Sequence, residues 1–176
     1  MIPVVCCYQE NNLWINQTNR TDGISGNPMP TAVASSPGGA ISPIGYPREP
    51  FPVAETLMET PLYVGRAMHE GDLLPAKVRA DGMTAYVSYG GREFPEHQFE
   101  ILASHHVAWQ HSSNGEINNQ AMVVGNTRQG EPLYAGRAWY NGSITLGKVH
   151  PSHKCLYIPF NGQEIRINEY EIMLLL

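Results

Sequence analysis

A chain of 176 residues with 42% apolar side chains can bury a substantial core, and one compact structural unit is the expectation. Its formal charge of −5 and the absence of any Lys or Arg run leave no basic field to follow a phosphate backbone, which excludes nucleic acid as an expected partner. The longest strongly apolar run, IMLLL at the C-terminus, falls far short of the ~20 residues that span a bilayer, so membrane insertion is not expected.

In chain order, MIPVVCCYQE lacks the basic n-region of a secretory signal, and the expectation is a cytoplasmic protein that would reach extracellular targets only by a non-classical route. Cys6 and Cys7 are adjacent and Cys155 is remote, an odd count that reads as reduced thiols. Trp14 opens a strand-like segment that belongs in part to the first repeat described below. Residues 34–52 then bring Pro37, Pro43, Pro47, Pro50 and Pro52, which forbid a central strand or a helix and predict an extended surface arm within an N-terminal segment 1–60.

From Pro61 the text begins to repeat. PLYVGRAMHEGDLLPAKV returns as PLYAGRAWYNGSITLGKV from Pro132, and an ungapped offset of 71 aligns residues 61–102 with 132–173 at 14 identical positions of 42. The two copies occupy 61–104 and 105–176. Runs such as PLYVGRA, TAYVSY and QFEILA, punctuated by glycine and without a helical period, predict short strands. HEGD, YGGRE, YNGS and FNGQE place glycine where a tight hairpin needs positive φ, so each copy should be a small antiparallel sheet of three or four strands. Two such sheets are each too small to stand alone, and they should bury their apolar faces together or exchange strands. Trp109 is expected to anchor the second unit, with SSNGE as a turn.

Lys77 and Lys148 fall at equivalent places, each just before a valine. Each reads either as a solvated surface charge or as a hydrogen-bond donor to a ligand. Asp72 lies five residues before Lys77, with Glu70 and Glu55 nearby, and an ammonium beside carboxylates suits vicinal sugar hydroxyls, which both give and accept. In the second copy Asp72 becomes Ser143, so acceptor charge is lost. Paired carboxylates can hydrolyse glycosides, but that needs a deep cleft, and small repeated β-units predict no enzyme. His105, His106 and His111 fit no zinc spacing, and neither metal nor cofactor is expected. The duplicated Arg66/Arg137, Glu93/Glu164 and Glu100/Glu171 are expected to pair across the sheet. Tyr63, Tyr86, Tyr134 and Tyr157 are expected in the core, while Trp139 or Tyr140 could face a sugar.

The two strings, running from YVGRA to KV and from YAGRA through GKVHPSH and YIPFNGQE to YEI, resemble the tandem motifs of the DM-nine repeat family, with a looser match from Trp14. The resemblance implies an all-β protein of two intertwined motifs about a pseudo-two-fold axis, often a homodimer. It implies a mannose-specific lectin acting in innate pattern recognition or, alternatively, an intracellular infection-responsive interaction protein with a degenerate sugar site. Carried onto this chain, the family's sugar contacts fall on Lys77, Asp72 and Glu55, and in the second motif on Lys148, Ser143 and Thr127. The ligand implied is mannose or a high-mannose glycan. PAK replaces the family's PGK in the first motif, and the proline-rich insert falls just before Glu55.

Overall fold

The computed structural model describes residues 13–18, 54–55, 61–80, 84–104 and 106–176. The proline-rich insert, Cys6, Cys7 and His105 lie outside the described residues. The all-β expectation is met: among the described residues there are 14 strands and no helix, and every strand pairing is antiparallel. β1 (Trp14–Thr18) and β2 (Ala54–Glu55) precede the first copy. That copy comprises β3 (Pro61–His69), β4 (Asp72–Arg79), β5 (Ala85–Tyr89), β6 (Arg92–Glu96) and β7 (Gln98–Leu102). β8 (Val107–Ser113) and β9 (Val123–Asn126) lead into the second copy: β10 (Pro132–Tyr140), β11 (Ser143–His150), β12 (Cys155–Phe160), β13 (Gln163–Ile167) and β14 (Glu169–Leu175).

The aligned stretches of the two copies each hold five strands, where three or four per copy were expected. β6, REFPE, carries Pro95, which has no N–H to give to a ladder. β6 meets β13 only at Arg92, so beyond that residue it is an edge, where proline is tolerated. The hairpins form as the glycine spacing predicted. Glu70 and Gly71 have φ of 49° and 88°, Asn141 and Gly142 have 49° and 84°, and the 90–91 and 161–162 turns are alike, so all four loops are two-residue turns of the I′ hand.

The strands close on themselves. β4, β5, β6, β13, β12, β11 and β10 follow one another, and β9 pairs with both β10 and β4, which completes an eight-stranded antiparallel barrel. The remaining strands flank it, with β7 and β1 beyond β3 and with β14 and β8 beyond β10. Trp14 lies opposite Leu102 and Trp109 opposite Met173, so the two tryptophans are equivalent.

Strand alternation divides the apolar residues among three clusters. On β3, Tyr63 and Ala67 enter a cluster with Leu74, Val87 and Ile101 that Leu133 of the second copy completes. Leu62 and Val64, pointing the other way, join Val124, Ala135, Leu146 and Met173 of the second copy. A third cluster gathers Val149, Leu156, Ile158 and Ile172. Two of the three clusters therefore draw on both copies.

Candidate functional site

The two lysines stand on equivalent strands beside equivalent tyrosines, Lys77 opposite Tyr86 and Lys148 opposite Tyr157. Neither is a solvated surface charge, since their side chains are only 12% and 6% exposed. Lys77 Nζ donates to Glu93 Oε1 at 3.3 Å and to the carbonyl of Pro159 in the other copy. Lys148 Nζ donates to Glu164 Oε1 at 3.3 Å and to the carbonyl of Ser88 at 2.6 Å, again across the copies. The second oxygen of each glutamate accepts the backbone N–H of the opposite turn, Glu93 from Gly162 and Glu164 from Gly91, both at 2.7 Å. Each lysine–glutamate pair therefore clamps the neighbouring copy's hairpin. Burial lowers the proton affinity of both lysines, and the paired glutamate opposes it in each case. Each ammonium commits two of its three N–H donors to these contacts.

The grouping of site residues by copy does not survive folding. Asp72 and Lys77 sit on one strand five residues apart, which separates them by ~16 Å and turns them to opposite faces. Asp72 instead meets the second copy. Its Oδ1 accepts the N–H of Arg128 at 2.8 Å, and its charge is felt at Lys148 and His150. Thr127 begins the turn that presents Arg128; it is buried, and its hydroxyl accepts the N–H of Glu131 at 3.1 Å. The structure thus bonds Asp72 of one copy to the backbone that follows Thr127 in the other, with the Asp72 charge felt weakly at Lys148. Ser143, the counterpart of Asp72, is buried at the start of β11. β2 lies against both β3 and β11, as β9 lies against β10 and β4. The backbone of Glu55 is in β2, opposite Pro61, while its side chain lies outside the described residues.

A close approach makes the Asp72 arrangement possible. A Cβ on Gly125 would fall inside the van der Waals radius of Leu73 O, so glycine at this position lets β9 reach β4 and bring the next turn to Asp72. That turn is fixed by Thr127 N donating to Glu131 O and Gly130 N to Thr127 O. Glu131 accepts the N–H and hydroxyl of Ser152, both at 2.8 Å, and stands 3.3 Å from His150 Nδ1. Sequence reasoning passed over Glu131, Ser152 and the His150–His153 stack because their first-copy counterparts differ, so the repeat gave no signal. Glu93 and Glu164, by contrast, were visible as duplicated acids whose partners were taken to be arginines.

The arginines pair with the other duplicated acids. Arg66 binds Glu100 and lies over Trp14, and Arg137 binds Glu171 at 2.6 Å and lies over Trp109. Tyr63 and Tyr134 are buried, whereas Tyr86 and Tyr157 are half-buried beside the lysines. Trp139 is exposed and Tyr140 packs edge-on against Phe160. His111 pairs with Glu169 at 2.9 Å, and no group of metal-ligating side chains occurs among the described residues.

Residues 57–167, well over half of the chain, match the DM9 repeat. The chain belongs to the DM9 repeat family. It is similar to Natterin-3 and Natterin-4 of Thalassophryne nattereri, at 29% and 28% identity over 96 residues. That stretch is 52% of this chain but only 24% and 22% of those proteins, so the DM9 repeat chain corresponds to about a quarter of each relative. The nematode sperm cell motility protein MFP2B shares the fold, with a TM-score of 0.52 at 14% identity, over 87% of this chain and 54% of that one.

Proposed function

We propose that this DM9 repeat protein is a non-catalytic lectin that binds mannose or mannose-terminated glycans in innate pattern recognition. The observation that supports the reading is the bond from the Arg128 N–H of the second copy to Asp72, next to Thr127, with the Asp72 charge felt at Lys148. Asp72 Oδ1 is held by Arg128, leaving Oδ2 as an acceptor, and the third N–H of Lys148 supplies a donor. An acceptor and a donor held on a rigid β frame suit two adjacent hydroxyls of a hexose. A single site of this kind binds weakly, on the order of millimolar to micromolar, and a homodimer would add avidity on a clustered glycan.

The Lys77 position, with Ser143 where the other copy has Asp72, lacks that acidic partner and is the weaker site. A second reading is an interaction protein whose sugar site has decayed. What favours it is the internal engagement of both ammonium groups, each bonded to a glutamate and a carbonyl.

The test is retention on immobilised mannose, followed by a glycan array. Asp72→Asn keeps an oxygen for the Arg128 N–H but removes the charge, so retention should be lost while stability changes by less than about 1 kcal/mol. Wild-type protein that fails to bind any mannose-terminated glycan would establish the second reading instead.

A further inference from the structure

One polar cluster is left unused by the sugar contacts, and it adjoins them. Glu131 holds the Thr127–Gly130 turn from its C-terminal side and is itself fixed by Ser152. His150 Nδ1 lies 3.3 Å from both Glu131 Oε1 and Ser152 Oγ. The Ser152 hydroxyl donates to Glu131, which leaves His150 Nδ1 as a donor to the Ser152 hydroxyl oxygen. His153 stacks on His150 with ring centroids 3.7 Å apart and planes 1° from parallel. His150 is buried, and the exposed His153 ring covers it from the surface side.

We infer that Glu131, Ser152 and the stacked His150–His153 pair form an acid-sensitive latch that holds the 127–130 turn against Asp72 and lets it open on mild acidification. Opening would withdraw the Arg128 N–H from Asp72 and release the bound sugar; that second consequence rests on the lectin reading.

The charges around the latch set its direction. Burial and the neighbouring His153 hold His150 below the ordinary imidazole range, with Lys148 adding to them and Glu131 and Asp72 opposing. Burial pushes the Glu131 carboxyl up, but the Ser152 donors and the histidines outweigh it and hold it below the usual range. Behind His150, Cys155 is its cross-strand partner and stays a thiol, because burial raises its pKa. Tyr157 touches His153 edge-on, and Arg166 donates to the His153 carbonyl at 3.0 Å. With Nδ1–H already given to the Ser152 hydroxyl, a proton on Nε2 adds charge without adding a bond to this cluster. It places that charge against a second imidazole and near Lys148. Because the folded-state pKa is depressed, the latch is intact above the unfolded imidazole value and loses stability as pH falls below it.

The first copy has Thr60, Arg79, Asp81 and Gly82 where the second has Glu131, His150, Ser152 and His153, so the latch belongs to the Asp72 site alone.

Amide hydrogen exchange of the intact chain, read at Arg128 and Gly130 from about pH 7.5 to about 5.5 and corrected for intrinsic rates, tests the latch without any ligand. Protection should fall about tenfold in wild type, fall little in His153→Ala, and be low throughout in Glu131→Gln. Unchanged protection in wild type over that range overturns the latch. Mannose retention measured in parallel separates the two readings. An opening latch with no mannose binding at any pH sinks the lectin alone, whereas mannose binding with a flat pH profile and steady protection sinks the latch alone.

Discussion

Lys77 and Lys148 are the residues on which the proposed sugar recognition and the architecture compete. Each forms one ion pair within its own copy and one hydrogen bond to the other, in a setting with little solvent. Truncation leaves a glutamate without its cation, so Lys77→Ala should cost about 2–4 kcal/mol in chemical denaturation, whether or not the protein binds sugar. Loss of mannose retention in that variant would therefore say little about the ligand, and Asp72→Asn is the cleaner probe. Tyr157, beside Lys148, offers a test at high pH. Burial, helped by Cys155, pushes its pKa up to about 12, so the folded state resists ionisation that the unfolded chain undergoes near the ordinary value of 10. Its contribution is fully present below 10 and is lost as pH rises toward 12. The lowered pKa of the two lysines works the other way, so the decline should be assigned by variant. Denaturation midpoints of Tyr157→Phe should fall less steeply than those of wild type between about pH 10 and about pH 12.

At the scale of elements, the strands and turns were legible wherever the code is local. Asn-Gly and Glu-Gly between apolar runs announced the hairpins, and PLYVGRA announced the strand that became β3. β6 was not legible, because Pro95 is excluded from a central strand but not from an edge, and only the neighbouring strands decide which it is. β9 was not read as a barrel strand either. Its four residues pair with β10 by continuity of the chain and with β4 only because Gly125 permits contact with Leu73 O. Gly125→Ala should open that seam, destabilise the fold by about 1–3 kcal/mol and weaken amide protection at Arg128. PAK in β4 and LGK in β11 also differ for a physical reason. A Cβ on Gly147 would collide with Tyr157 O, whereas Ala76 sits opposite Val87 in the first copy with room for its methyl group.

At the scale of the molecule, the duplication is a device for completing a core. Leu133 fills the first copy's cluster, the second cluster is built from both copies, and the lysine clamps are exchanged between them. Residues 105–176 made alone should therefore lack a cooperative thermal transition, and adding residues 1–104 should restore one; circular dichroism melts of the separate and mixed fragments would decide this. The candidate residues were legible as a set, since the repeat led to Lys77, Asp72, Lys148 and Ser143 and the family resemblance added Thr127. Their partnership was not. Reading along one copy joined Asp72 to Lys77, while the closed barrel bonds Asp72 to the Arg128 backbone of the other copy.

By itself the sequence determined the all-β class, the duplication, the hairpin positions and the residue types of the site, because alternation, turn chemistry and repetition act over a few residues. Only the tertiary structure decided which acid faces which ammonium, that both lysines are tied to the opposite copy, and that Glu131 and His150 stand behind Asp72. Those contacts join residues 16 to 82 positions apart, across strands whose order is set by closure of the sheet and burial of a shared core rather than by any neighbouring stretch of chain.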